Sequence, residues 1–279
     1  MKLKFIKPVH QAEWRANVVP VPKKDGKVRM CVDFKDLNKV FLKDDFPLPH
    51  VDVLVDNTTS SALMSFVDSF LGYNQIKMSF RDMTKTTFST MMPFGLKNAG
   101  MTCQKMAIAL LHDMMHNERE VYVNDMIVKS KEGEGHIVNL RKFFERIKEY
   151  RLRLNLQKCT FGVTTGKLLG FLVSDRGIKV DPSKIKTILE IPSPKSEKEI
   201  RGFVGRLQYI SRFIAKLTST CEPIFKLLRK NEWNGECQKA FKLITEYLLY
   251  PLILVPPMHK KPLPLYHSII EDVVGSMLA

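Results

Sequence analysis

Two short apolar runs in this chain each stop at a carboxylate. Leu63 to Val67 ends at Asp68, and Val121 to Val128 reads as two short strands around a tight Asn124-Asp125 turn. A carboxylate at the tip of a buried strand is costly unless something cationic meets it. Two such tips, brought together from separate strands, can converge on divalent metal. Two-metal phosphoryl transfer needs that arrangement: one ion activates the attacking oxygen, the other steadies the leaving group. Taken singly, each aspartate has the simpler reading of a turn former.

The rest of the chain supplies a frame for such a site. Asn17 to Pro22 and Lys27 to Val32 read as strands joined by a Lys24-Asp25-Gly26-Lys27 hairpin turn. Residues 100–117 read as a helix with Met106, Leu110 and Met114 at helical spacing. Residues 136–150 read as a second helix, with Ile137, Leu140, Phe144 and Ile147 on one face. Leu168 to Val173 and Ile178 to Val180 flank a turn at Ser174-Asp175-Arg176-Gly177. Beyond residue 181 the pattern is helical. Asp181-Pro182 is an N-cap with proline at the first helical position, and Ser196 to Glu199 is a capping box. The helix it opens carries Ile200, Phe203, Val204, Leu207 and Ile214 on one stripe, with Gly202, Gly205, Arg206 and Arg212 off it. A third helix is expected from Glu236 to about Leu248. Boundaries are expected near 181 and near 250.

Charge follows the same division. The 279 residues carry a net charge of +15, but residues 48–150 are neutral overall, while 1–47 carry +5 and 182–242 carry +7. A polyanion lying between two basic lobes over a neutral centre fits that distribution; a basic surface of solvated lysines is the simpler alternative. No stretch reaches the ~18 uninterrupted apolar residues of a spanning helix, so no membrane association is expected. The start lacks the apolar segment of a secretory signal. The five cysteines are widely spaced with no C-x-x-C, which argues against a disulfide framework or a cysteine-rich zinc site. The expected location is intracellular, cytoplasmic or nuclear.

Specific motifs then follow one another along nearly the whole chain. They are Trp14 to Phe34 with Asp36-Leu37-Asn38, Asp44-Asp45-Phe46-Pro47-Leu48-Pro49, and Ser65-Phe66-Val67-Asp68 with Gly72-Tyr73-Asn74-Gln75-Ile76. Next come Met92-Pro93-Phe94-Gly95-Leu96-Lys97-Asn98-Ala99-Gly100, Tyr122-Val123-Asn124-Asp125, Leu154-Asn155 with Lys158-Cys159, Leu169-Gly170-Phe171, and Gly202-Phe203-Val204-Gly205-Arg206 with Tyr209 and Trp233. In this order the segments resemble the reverse transcriptase of gypsy-type LTR retrotransposons. The resemblance implies an α+β, right-hand polymerase: fingers and palm in 1–181, a helical basic thumb in 182–250, and in 251–279 the truncated beginning of an RNase H-like domain. It implies an RNA-directed DNA polymerase that uses two Mg²⁺ ions, an RNA or DNA template–primer and deoxynucleoside triphosphates.

The resemblance also implies roles. Asp68 and Asp125 match metal-binding aspartates, with the backbone carbonyl of Ser69 as a further ligand, and Asn124 occupies the third catalytic position. Lys23 and Arg29 resemble the cations that meet the incoming triphosphate; arginine can hold two phosphate oxygens at once. Tyr73 resembles the ring beneath the incoming sugar, which leaves no room for a 2′-hydroxyl. Phe94 joins it at the nucleotide. Gln75 and Gly95 look like template-side residues, Gly170 and Phe171 like the loop that positions the primer end, and Arg206 like a thumb contact to the duplex.

Two departures from the family pattern stand out. The first aspartate of its Tyr-x-Asp-Asp turn is Asn124 here, which exchanges a carboxylate for one neutral carbonyl oxygen at a site meant for dications. In addition, Ser89-Thr90-Met91-Met92 joins segments that the family separates by a longer hairpin beside the nucleotide pocket. The expectation is an impaired polymerase, with a catalytically dead remnant that only binds nucleic acid as the alternative. His112 and His116 have zinc-like spacing but lack the Glu of H-E-x-x-H, so they read as an exposed helix face. Gly162 to Lys167 reads as a hairpin turn, not a phosphate loop.

Overall fold

The computed structural model describes residues 16–22, 26, 28–70, 72–86, 91–194, 196–227, 233–250, 253–256, 265–270 and 273–278. It divides into two compact units, residues 1–164 and 165–279.

In the first unit β1 (Asn17–Pro22) and β2 (Val28–Asp33) form an antiparallel hairpin with Asn17 opposite Asp33 and Pro22 opposite Val28. Gly26, in the connection, is left-handed at φ 76°, the conformation the Asp-Gly signal anticipates. Then follow α1 (Lys35–Val40), α2 (Val51–Thr58), β3 (Leu63–Asp68), α3 (Phe80–Thr86), α4 (Ala99–Leu111), β4 (Arg119–Tyr122), β5 (Asp125–Ser130), α5 (Gly135–Glu149) and β6 (Thr160–Val163). Strands β4-β5-β3-β6 make one antiparallel sheet in that order. One face carries Val67, Val121, Met126 and Val128, which pack with Ala107 and Leu111 of α4 and Phe143 and Ile147 of α5. The small residues Cys103 and Ala107 lie fully buried on α4 and let the helix axis come close to the sheet. Toward α2 the sheet buries a Glu120–Lys129 ion pair of 2.7 Å, and Lys129 also donates to the Asn57 carbonyl at 2.6 Å.

Two expectations for this unit need correction. The helix expected over 100–117 stops at Leu111; a 3-10 turn covers His112–Met114 and His116 is left-handed at φ 65°. His112 and His116 are exposed, as expected, but not on a helix face. The buried face of α5 is His136, Phe143 and Ile147, while Ile137 is 69% exposed. The helix is turned by one residue because His136 is drawn inward. Its Nε2 meets Ser65 Oγ at 2.7 Å and its Nδ1 meets Ser130 Oγ at 3.0 Å. Ser65 Oγ also accepts from Gly162 N–H and Ser130 Oγ from the Asn139 amide, so each serine links the imidazole to a second group.

The second unit opens with a meander of β7 (Thr165–Leu168), β8 (Phe171–Ser174) and β9 (Gly177–Val180). What reads in sequence as one strand from Leu168 to Val173 is therefore two, interrupted at Leu169-Gly170. Helices α6 (Pro182–Leu189), α7 (Glu197–Tyr209), α8 (Leu217–Lys226) and α9 (Gly235–Leu249) follow, then the hairpin of β10 (Leu265–Ile270) and β11 (Val273–Leu278). The Asp181 side chain caps α6 by accepting from Ser183 N–H at 3.0 Å, and the Ser196–Glu199 capping box of α7 is formed. Helix α7 ends at Tyr209, so Ile214 is buried from the connection beyond it, not from its stripe. The composition changes at 181, but the meander belongs with the helices that follow. Phe171 stacks on Tyr209 and Phe213, and Ile178 bridges to Leu254.

Candidate active site

Strands β3 and β5 run antiparallel with Asp68 directly opposite Asp125. The two-residue connection between β4 and β5 is Val123-Asn124, so Asp125 is the first residue of β5 and pairs with Tyr122. Val123 is left-handed at φ 55°. For a β-branched residue this is strained, of order 1–3 kcal/mol, and surrounding bonds must hold it. Gln104 of α4, fully buried, does so: Val123 N–H donates to its Oε1 at 2.6 Å and its Nε2 donates to the Val121 carbonyl at 3.0 Å. Ser69 N–H donates to the Asn124 carbonyl at 3.2 Å and closes the hairpin onto the end of β3. Sequence reasoning passes over Gln104; its signal is a polar amide on a helix face otherwise made of small and apolar residues.

The cation that the carboxylates require comes from a 3-10 turn at Leu156–Lys158. Lys158 Nζ lies 3.2 Å from Asp68 Oδ2, and the Asn155 side-chain amide donates to the same oxygen at 3.4 Å. Asn155 N–H donates to the Asp68 carbonyl at 2.9 Å. Asp125 presents surface to solvent, yet neighbouring protein displaces part of its hydration. That desolvation and then the facing Asp68 charge push its pKa above the ordinary carboxylate value, and Lys158 partly offsets both.

Asn124 is turned toward α4 and the 3-10 turn Gly72–Gln75. Its Oδ1 accepts from Cys103 Sγ at 3.2 Å, and a methyl group added at Gly72 would overlap that oxygen. Burial pushes the Cys103 thiol up to about 11, so it stays a neutral donor. Among the described residues no group of three or more His, Cys, Asp or Glu side chains is placed to hold a metal ion. Asp68 and Asp125 are nonetheless a pair of hard oxygen donors already short of positive charge, which fits a divalent cation such as Mg²⁺. The neutral amide of Asn124 fits a second ion less well.

Tyr73 and Phe94 come together edge to face, ring centroids 5.0 Å apart. Burial pushes the Tyr73 phenol up. Gly95 is left-handed at φ 100° and lies so close to the Val32 carbonyl that a side chain would not fit; its own carbonyl accepts from the Asn38 amide at 2.8 Å. Gln75 spends its amide inside the protein. Its Nε2 donates to Ser69 Oγ and to the Phe70 and Arg153 carbonyls, and its Oε1 accepts from Arg153 N–H at 2.6 Å. It thus braces the segment that follows Asp68. Lys23, Ser89, Thr90 and the Arg29 side chain lie outside the described residues. In the second unit Gly170 and Phe171 sit at the β7–β8 connection, and Arg206 is exposed on α7 beside Gly202 and Gly205, off the buried stripe as expected.

The mixed α/β unit, whose antiparallel sheet carries two opposed aspartates at neighbouring strand ends, has a polymerase fold. Solved structures share this fold. One foamy viral protease–reverse transcriptase, in complex with double-stranded DNA, superimposes with a TM-score of 0.86 at 20% identity, over 96% of this chain and 50% of that one. Another, in complex with an RNA/DNA hybrid, gives 0.83 at 19% identity, over 97% and 38%. The chain belongs to the reverse transcriptase (RNA-dependent DNA polymerase) family, whose sequence profile matches residues 21–173. Curated relatives are the retrovirus-related Pol polyproteins of the Drosophila melanogaster transposons opus, 34% identical over 85% of this chain, and 412, 30% identical over 100%. A Tf2 transposon polyprotein of Schizosaccharomyces pombe is 27% identical over 94%. The chain spans about a quarter or less of the length of these relatives (24%, 24% and 20%).

Proposed function

We propose that this chain is the RNA-directed DNA polymerase domain of a gypsy-type LTR retroelement, adding deoxynucleotides to a primer on an RNA or DNA template, and that Asn124 impairs it. The observation that supports the reading best is the opposition of Asp68 and Asp125. These carboxylates and the Ser69 carbonyl would hold Mg²⁺. When bound, two such ions lower the pKa of the primer 3′-hydroxyl and neutralise the departing pyrophosphate.

The protein's own groups do the rest. Gln104 and Ser69 hold the β4–β5 hairpin against β3, so the carboxylates stay opposed before substrate arrives. Tyr73, edge-on to Phe94, forms the floor under the incoming sugar and rejects a 2′-hydroxyl by occupying its space. Lys23 and Arg29 hold the triphosphate. Gly95 and Gln75 shape the template side, Gly170 and Phe171 place the primer end, and Arg206 grips the duplex from the thumb. In this assignment fingers and palm occupy 1–181 and the thumb 182–250, and 251–279 begins an RNase H-like domain.

The test is extension of a labelled DNA primer on RNA and DNA templates with Mg²⁺ or Mn²⁺, wild type beside Asn124→Asp. Extension by the Asn124→Asp variant, and little by the wild type, supports the reading. No extension by either, with duplex binding intact, favours a second reading, a remnant that binds template–primer without copying it. The Asn124 amide, turned toward Cys103 and Gly72, is the observation on that side.

A further inference from the structure

The connection between β7 and β8 is two residues long, and both are left-handed: Leu169 at φ 47° and Gly170 at φ 85°. Glycine adopts this conformation freely, but leucine does not, so the connection needs an external hold. Both of its carbonyls are taken. Asp181 N–H donates to the Gly170 carbonyl at 3.2 Å, and the Tyr209 hydroxyl, from the last turn of α7, donates to the Leu169 carbonyl. The Tyr209 ring lies parallel to Phe171, 5.4 Å centroid to centroid and 6° between planes, while Phe213 stacks on Phe171 at 5.7 Å. A methyl group at Gly170 would collide with the Tyr209 hydroxyl, so the absence of a side chain at 170 and the phenol at 209 occupy complementary space. Tyr209 stays 43% exposed, unlike the buried Phe203 and Leu207 of the same helix. It is not a core filler: its hydroxyl meets this turn and its ring stacks on Phe171, with Lys184 Nζ over the ring at 5.8 Å.

We infer that Tyr209 is a positioning residue which fixes the Leu169-Gly170 turn in the shape that receives the 3′ end of a nucleic acid primer. The inference rests on the reading that this turn meets the primer end. It adds that the turn's shape is set by a thumb-helix phenol and not by the strand pair alone. Tyr209→Phe keeps the ring stack and removes the hydroxyl that bonds the Leu169 carbonyl. Gly170→Ala pushes the phenol aside from the other direction.

The full chain would be titrated by fluorescence anisotropy against two labelled DNA duplexes of equal length, one with a recessed 3′ end and one blunt. The wild type is expected to prefer the recessed duplex. Tyr209→Phe should cut that preference by about tenfold and leave blunt-duplex affinity unchanged, with melting temperature followed in parallel. Wild-type preference in Tyr209→Phe overturns the inference. So does an equal loss on both duplexes, which is what a merely structural tyrosine would give. A wild type with no preference for the recessed end overturns the primer-loop reading itself, and the inference with it.

Discussion

Asp68 on β3 and Asp125 on β5 face each other as the last matched pair of an antiparallel ladder that begins with Leu63 opposite Ser130. Six consecutive register pairs fix the separation of the two carboxylates, so the site is preorganised by the sheet and not by a loop. Like charges held opposite each other destabilise a strand pair, and Lys158 beside Asp68 is the compensation within this unit.

That relationship predicts opposite shifts from two substitutions. Asp68→Asn removes the facing negative charge and should lower the pKa of Asp125. Lys158→Gln removes the offsetting positive charge and should raise it further. Because the folded-state pKa of Asp125 is raised, its contribution to stability is present below the unfolded-chain value near 3.9 and is lost as pH rises through the folded value. Carboxyl ¹³C NMR titration reads both shifts; movement of either in the other direction contradicts the electrostatic account.

Restoring the third carboxylate should have a large kinetic effect. Asn124→Asp is expected to raise the primer-extension rate by about a thousandfold or more, equivalent to about 4 kcal/mol of barrier. Single-turnover extension at saturating nucleotide measures it. Equal rates in the two proteins would show that the amide is not what limits this site.

Gly72 has no room for a side chain because Asn124 lies against it. Gly72→Ala should cost about 1–3 kcal/mol through overpacking and displace the Val123-Asn124 turn. The urea midpoint reports the first effect and the amide shift of Asn124 the second. An unchanged amide shift would mean that the 3-10 turn yields instead of the hairpin.

His136 predicts a pH dependence away from the carboxylates. Burial pushes its pKa below the ordinary 6.5, and its two ring nitrogens are committed to Ser65 and Ser130 as a neutral imidazole. As pH falls below about 6.5 the unfolded chain takes up the proton first, so stability should drop between that value and the lower folded pKa. His136→Gln should lose this slope while retaining whatever acid sensitivity the carboxylates bring. Urea melts between about pH 7 and about pH 5 compare the two proteins.

Much of the frame is legible one residue at a time. The strand ending at Asp68 occupies Leu63–Asp68, the 136–150 helix occupies Gly135–Glu149, and both N-caps after 181 form as their side chains require. These features depend on local periodicity and capping chemistry, which the sequence carries directly. The errors fall where a long-range bond overrides local preference. Helix α5 is rotated because two serines from β3 and β5 draw His136 inward. The apolar run Leu168 to Val173 is broken because the Leu169 and Gly170 carbonyls are claimed by Tyr209 and Asp181. The helix expected to reach 117 stops at Leu111, where the chain turns back through His112–Met114 to enter β4.

The site divides in the same way. Chemical identity is written in the chain: which carboxylates end which strands, that Asn124 replaces one of them, that basic residues flank a neutral centre. Arrangement was decided only on folding. The amino-acid order does not reveal that Lys158 neutralises Asp68, that Gln104 props a strained Val123, or that Gln75 turns inward to brace the backbone. The Lys158–Asp68, Gln104–Val123 and Gln75–Arg153 contacts each join residues 19 or more positions apart. Their direction is set by which buried polar groups are left to satisfy once the strands pair, and this is a property of the packed sheet and not of any segment within it.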